Sequence, residues 1–416
     1  APVPRDKLHV TGKPVELKAV TLVGGYETGR QVFHVDDLQI HFAGGAARAV
    51  GHLDFAQPKP LVVVNVVFTT VEAATVAKLW PHFAATGARD WFINNVKSGR
   101  LHDAIAQLQI PLLVDPPLWP PEAVRLSARF DATQSKTFGD LPDLIGAEGR
   151  IAMEKKRFEV TIDKSSVLTR HPRRPTVVSF KLDIPDAVRK SPRASMEMRV
   201  AGDNLALGEI IEAEPLALLS GAGIKLDGLA GTGDVRGRVD LTFHKPFDPA
   251  SLDYKFEGTL DKFGSPSPIL GRRFSEGALK VAVDRRGTTI TGKAKIEGVP
   301  TDVNMFEPSE SSSAQERRDF AMTLDDAARA RMGLDLAGMV ARRYQIEIGQ
   351  PGANEQVKRI VADMTGARLF VPQFGWTKGA GVPARANRDL VDDERGETRV
   401  DNFSIEAEGL QVKGSM

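Results

Sequence analysis

At 416 residues the chain is too long for one ordinary compact core, so it must either divide into several cores or build an extended repetitive structure. Its 55 Lys and Arg against 54 Asp and Glu leave a net charge of +1, which supplies no field for recruiting nucleic acid. The absence of cysteine excludes disulfides, thiolate metal sites and thiol nucleophiles.

The first clear element is an alternating strand through Leu38, Ile40 and Phe42 ahead of a Gly44-Gly45 turn. Leu61 to Phe68 is the one nearly continuous apolar run and reads as a strand buried on both faces. No run approaches the ~18 apolar residues of a membrane-spanning helix. Helical spacing follows at Glu72 to Trp80 and Ala88 to Val96, with Pro81 between the halves and Gly99 ending the second. Ala88, Trp91, Phe92, Asn95 and Val96 form its stripe, and Trp80 and Trp91 read as anchors against a sheet edge.

Alternation then resumes in Val124, Leu126 and Phe130, in Ile151 and Met153, and in Phe158, Val160 and Ile162. It continues through Phe180, Leu182 and Ile184 and through Met196, Met198 and Val200. The cleanest stretch sets Val235, Val239, Leu241 and Phe243 against Arg236, Arg238, Asp240 and Thr242. Leu252, Tyr254, Phe256 and Leu260 repeat it; then come Leu279, Val281 and Val283, an Arg285-Arg286-Gly287 turn, and Ile290, Ala294 and Ile296. Glu307 to Arg318 reads as an exposed loop, followed by a short helix after Thr323, whose hydroxyl would cap it, stopped by Gly333. A last alternating strand runs through Phe403, Ile405 and Ala407.

One greasy face and one wet face, strand after strand, is the pattern of antiparallel sheet. The expected fold is mainly β: an elongated, curved antiparallel sheet forming an open half-pipe or groove, with one short helical insertion and a second short helix. The segments fall at 1–68 (β), 69–98 (helical), 99–306 (repeated antiparallel β), 307–337 (loop and short helix) and 338–416 (β). An exposed apolar strip of this extent requires a ligand or a partner, and acyl chains suit it because they need no polar geometry. The candidate contact positions are Val235, Val239, Leu241, Phe243, Leu252 and Tyr254, with Phe256, Leu279, Val281, Val283, Ile290 and Ile296.

Catalytic and metal chemistry finds no constellation. His9, His34, His41, His52, His82, His102, His171 and His244 lack ligand spacing, and the odd separation of His34 and His41 puts them on opposite faces of one strand. Gly231-Thr-Gly233-Asp-Val-Arg-Gly237 departs from a dinucleotide fingerprint because its third glycine is one place late and a strand follows. Asp325-Asp326 reads as a helix cap, not a catalytic carboxylate pair. The expectation is a non-enzyme with no catalytic residue, no metal and no cofactor.

Three passages carry a family resemblance: Leu79-Trp80-Pro81 with Ala88-Arg-Asp-Trp91 and Ser98-Gly99-Arg-Leu101; Leu324-Asp-Asp-Ala-Ala-Arg-Ala-Arg-Met-Gly-Leu334; and Phe374-Gly-Trp-Thr-Lys-Gly-Ala-Gly-Val-Pro383. In these the chain resembles the AsmA-like proteins of Gram-negative bacteria, the group of AsmA, TamB and YhdP, and specifically the YhdP-type central region of alphaproteobacterial members. The resemblance implies a periplasmic segment, anchored in the inner membrane through regions outside this sequence, that moves phospholipid toward the outer membrane along an apolar groove. Its partners would be phospholipid acyl chains and other envelope proteins, with no nucleic acid. The alternative is a structural scaffold for outer-membrane biogenesis that pairs its strands with client proteins. The chain opens at Ala1 without a signal region and reads as an internal fragment.

Overall fold

The computed structural model describes residues 15–80, 86–114, 118–137, 139–214, 216–221, 224–243, 252–269, 271–309, 312–334, 336–349, 357–392 and 398–415. His9, Pro81, His82 and His244 lie outside them. The protein is mainly β. Among the described residues 21 strands join one antiparallel sheet, which does not close into a barrel, and three short strands form a second sheet. The chain divides into two compact units, residues 1–201, 213–216 and 236–253 in unit 1 and residues 202–212, 217–235 and 254–416 in unit 2.

Unit 1 opens with β1 (Leu17–Glu27), β2 (Val32–Phe42), β3 (Gly45–Asp54) and β4 (Leu61–Glu72), then helices α1 (Ala73–Leu79) and α2 (Thr86–Asn95). β5 (Val96–Pro111), β6 (Val124–Ser135), β7 (Leu144–Glu154), β8 (Arg157–Val167), β9 (Thr176–Ile184) and β10 (Arg193–Asp203) follow. Each of β1 to β9 pairs antiparallel with the next strand in sequence, so this stretch is an uninterrupted meander. β9 pairs in the same way with β10.

Beyond β10 come α3 (Asn204–Glu212), α4 (Leu218–Gly221), β11 (Ala230–Thr242), which runs from unit 2 into unit 1, and β12 (Asp253–Ile269). Unit 2 continues with β13 (Arg272–Asp284), β14 (Gly287–Ile296), β15 (Val299–Pro308), β16 (Arg317–Leu324), α5 (Asp326–Arg331), β17 (Val340–Ala341) and β18 (Tyr344–Gly349). β19 (Val357–Asp363), β20 (Arg368–Val371), β21 (Trp376–Lys378), β22 (Ala384–Asp392), β23 (Thr398–Ala407) and β24 (Leu410–Gly414) complete it. The meander skips β17, β20 and β21, which form the small second sheet, so that β16 pairs with β18 and β19 with β22.

Several local expectations are corrected. Leu61 to Phe68 is not buried on both faces: in β4 Asn65 and Val67 are exposed while Val64, Val66 and Phe68 are half-buried. Gly99 does not end α2, which stops at Asn95. Instead Gly99 sits inside β5 at φ 137°, where a Cβ would collide with Thr133. Trp91 is no anchor, being 54% exposed, whereas the Trp80 ring packs against Phe92 at 5.8 Å. The cap of α5 is Asp325, whose Oδ1 accepts from the Ala328 N–H at 2.7 Å, and not the Thr323 hydroxyl. Gly333, at φ 74°, follows the helix as expected.

His34 and His41 share a face. Register pairs Val35 with Gly51 but Leu38 with Ala49, so Asp36 and Asp37 together oppose one residue in a β-bulge that reverses the phase of β2. His34 then lies opposite His52 and His41 opposite Ala46, both on the same side of β3.

The α3–α4 pair was not anticipated from the sequence. Gly208 in the middle of α3 weakens the helical signal, yet the tertiary structure needs it: a Cβ there would lie 2.6 Å from the Leu226 side chain and 3.3 Å from those of Leu219 and Leu229.

Candidate functional site

The alternation of the sequence becomes a line of directly opposed apolar side chains across unit 1. Leu38 in β2 faces Ala49 in β3, which faces Val66 in β4, which faces Ala106 in β5. The line continues from Ala106 to Leu126, Met153, Phe158 and Ile184 in β6 to β9. A second line beside it joins Ala128, Ile151, Val160, Leu182 and Met196 across β6 to β10. At ~4.8 Å per strand, the nine strands from β2 to β10 make an apolar row on the order of 40 Å long.

Most large residues of this row, including Val66, Leu126, Val160, Leu182 and Met196, are half-buried, shielded by their cross-strand neighbours. The two fully buried apolar clusters among the described residues both belong to unit 2. Across β6 to β11 the opposite face is cross-linked by ion pairs, Arg125–Glu154 at 2.7 Å, Arg157–Asp183 at 2.7 Å, Lys181–Glu159 at 3.0 Å and Arg238–Glu197 at 3.2 Å, whereas in β4 and β5 it carries the directly opposed and exposed Val67 and Ile105. Hydrogen bonding to Asp183 raises the Arg157 guanidinium pKa further above its ordinary value. Such exposed pairs add little stability. Their consequence is directional: from β6 to β11 they mark this face as the one turned to water.

Unit 2 uses the same strand grammar but covers its apolar face. One cluster, containing Phe263, Phe274, Leu279, Ile296 and Val303, is overlaid by Leu205 and Ile211 of α3 and Leu219 of α4. The other, containing Tyr344, Ile346, Ile360 and Ala362, is overlaid by Ala328 of α5 and by Val340 and Leu369 of the small sheet.

Two buried cations fasten this second cover. Arg329 is 4% exposed; its guanidinium donates to the carbonyls of Arg342 at 2.8 Å, Val340 at 3.0 Å and Leu324 at 3.5 Å. It also pairs with Asp326 and lies 5.5 Å above the Tyr344 ring, whose hydroxyl pKa is pushed up by burial. Lys378, 5% exposed, donates from Nζ to the carbonyls of Ala367 at 2.8 Å, Gly379 at 3.0 Å and Thr365 at 3.3 Å, and burial lowers its amine pKa.

The twelve candidate contact positions are distributed between these settings. Phe256 lies opposite Val283 and Val281 opposite Ile290, so these four gather on one face, and the Tyr254 and Phe256 rings lie 5.9 Å apart. Leu279 and Ile296, each 4% exposed, are core residues beneath α3 and α4, already covered by protein. Val239 and Leu241 in unit 1 are buried at 8% and 5%, whereas Phe243 lies just past β11 at 38% exposure. Val235 and Leu252 are half-buried. The row across β2 to β10 was read from the sequence as strand but not as site. Register makes it one surface.

A shallow cleft on the wet side of unit 2 is lined by Glu347, Asp363, Arg385, Glu406 and Glu408. Hydrogen bonds from Thr365 hold the Asp363 carboxyl below its usual range. Val361, Pro383, Ala384 and Ala407 supply the apolar part of the cleft's lining. Elsewhere Asp389, 3% exposed, accepts from Arg359 at 2.8 Å through both oxygens and from Asn402 at 3.0 Å, which also lowers its pKa.

The sign of that shift fixes a pH dependence. A depressed folded-state pKa contributes stability above the unfolded value of about 3.9 and loses it as pH falls through the folded value. Asp389→Asn is expected to lower stability by about 1–3 kcal/mol at pH 7 and by progressively less below pH ~4. Urea midpoints at pH 7 and pH 3 check this, and an equal loss at both would show that the charge contributes nothing.

No family model, curated protein or solved structure matches the chain. Among the described residues no group of His, Asp or Glu side chains is arranged to hold a metal ion, and no helix is long and apolar enough to cross a membrane.

Proposed function

We propose that this chain binds phospholipid acyl chains along the apolar row of unit 1, as the periplasmic lipid-conducting segment of an AsmA-like bridge protein between inner and outer membranes. In this reading the parent is anchored in the inner membrane through regions outside this sequence, other envelope proteins are its partners, and no residue is catalytic. One observation carries the reading: a row of directly opposed apolar side chains, most of its large members half-buried, runs over nine strands of unit 1 and contributes to neither buried cluster. Covering it is favourable by about 0.8 kcal/mol per CH₂ buried. Acyl chains match it because the row presents carbon without a polar pattern, so a chain can rest anywhere along it and move by small steps.

Native mass spectrometry with lipid extraction tests the proposal. The purified chain is expected to carry phospholipid, to lose it on stripping, and to reload from mixed phospholipid vesicles. A stripped protein that stays folded and takes up no lipid would sink the reading.

A further inference from the structure

Register gathers the β1–β2, β3–β4, β5–β6, β7–β8 and β9–β10 connections at one end of the unit 1 strands. Glu27 lies opposite Val32, Val32 opposite Asp54, Asp54 opposite Leu61 and Leu61 opposite Pro111. Glu154 lies opposite Arg157 and Phe158 opposite Ile184 at the same end. Backbone hydrogen bonds stitch neighbouring connections into one rim: the Phe55 N–H donates to the Gln31 carbonyl at 3.0 Å, Leu112 to Pro60 at 2.7 Å and Ala187 to Lys156 at 2.8 Å. This rim presents carbon to solvent. Leu113 is 92% exposed and Leu118 75%, the two most exposed large apolar side chains among the described residues, and Phe55 and Leu112 are exposed as well. Leu113 holds φ 62°, a left-handed conformation that costs a leucine energy, and the Trp119 indole N–H braces the same loop by donating to the Val114 carbonyl at 2.8 Å.

The rim also carries unmatched positive charge. Of its described carboxylates, Glu27 pairs with Arg30, Glu154 with Arg125 and Asp186 with Arg189, and Asp54 accepts from the Ala56 N–H. That leaves Glu122 to set against Lys59, Lys155 and Lys190, which are exposed and make no ion pair among the described residues. We propose that this rim docks unit 1 on an anionic phospholipid bilayer, with Leu113, Leu118 and Phe55 entering the boundary between headgroups and acyl chains and the three lysines meeting lipid phosphates. The shape and the charge together select this occupant. Leu113 and Leu118 are isolated knobs, not the walls of a groove, so a folded partner would need a matched hole for each, whereas a headgroup layer yields to any arrangement. Lysine, a point charge on a flexible stem, meets phosphates without a fixed geometry. The docking does not depend on the row holding lipid.

Flotation of the full chain with vesicles tests this. Binding is expected to vesicles containing phosphatidylglycerol, to weaken as salt is raised, and to be slight with phosphatidylcholine alone. Leu113→Asp should weaken binding about tenfold or more, the contribution of one buried leucine, and the double variant Lys59→Glu/Lys155→Glu by roughly as much. All three residues are exposed, so both variants should fold, which circular dichroism checks. Because the chain has no cysteine, a polarity-sensitive dye can be placed singly. On Leu113→Cys its emission should shift to the blue with acidic vesicles, and on Lys164→Cys, towards the other end of β8, it should not. Val160→Asp, within the row, should float like the unaltered chain, so failure of the rim and failure of the row are read separately. A chain that leaves acidic vesicles unbound would overturn the proposal, as would binding that neither rim variant weakens.

Discussion

Val160→Asp and Leu182→Asp, made separately, are each expected to cut the phospholipid carried by the chain by about tenfold or more while leaving the sheet formed. Val160 and Leu182 face one another across β8 and β9, with Ile151 and Met196 on either side, so both lie within the second line of the row. An ionised carboxylate forced against acyl carbon without a partner costs several kcal/mol, far more than the tenfold loss requires. In the lipid-free protein the same carboxylate keeps part of its hydration, because both positions are half-buried, and the cost to folding is accordingly small. Val67→Asp, on the face of β4 opposite the row and 46% exposed, should leave lipid content unchanged. Native mass spectrometry of the three variants reads the result, and equal lipid in all of them would remove the row as the binding surface. Val239, Leu279 and Ile296 are poor choices for this experiment: each is buried, and a charge there would report unfolding.

The second large effect is on stability. Arg329→Met keeps the bulk of the side chain but removes its donors from the carbonyls of Arg342, Val340 and Leu324 inside a buried cluster. Each buried acceptor left without a donor costs about 1–3 kcal/mol, so a total loss of roughly 3 kcal/mol or more is expected. Amide hydrogen exchange should show the loss first in α5, β17 and β20, where the guanidinium ties the cover to the sheet. Arg329→Lys should fall between, because an ammonium on a flexible stem cannot reproduce the planar fork. Unchanged protection in Arg329→Met would mean that the cover is held by its apolar contacts alone.

These two expectations separate the bare row of unit 1 from two passages that hold the cover of unit 2. Leu324 to Leu334 supplies the cap of α5 and the buried Arg329, and the passage from Phe374 supplies Lys378, which ties its own Gly379 to Thr365 and Ala367. Both passages hold the cover of unit 2 in place. Neither adds a residue to the bare row of unit 1.

Period-two alternation was readable for β2, β6 to β14 and β23, because a sheet with one wet face requires opposite residue types at successive positions whatever the partner strand, but not for strands such as β1, β3 and β5. The Arg285-Arg286-Gly287 turn was readable as well, where β13 gives way to β14 with Asp284 opposite Gly287. A turn of the same length between β7 and β8 was not. Lys155 and Lys156 join β7 to β8 with φ of 49° and 69°, a conformation usually marked by Gly or Asn and here left unmarked. The bulge at Asp36 and Asp37 was equally hidden, since it depends on which residue of β3 each residue of β2 faces.

The sequence alone therefore determined the class of structure and its antiparallel grammar, because those follow from residue type and spacing along a single strand. Which apolar faces are covered was decided only in three dimensions. Val160 and Leu279 carry the same signal in the sequence, yet one lies half-open in a row and the other lies beneath α3 and α4. The difference comes from where a short helix with a glycine at its centre packs, and that depends on shape complementarity between residues distant in the chain, which periodicity does not encode.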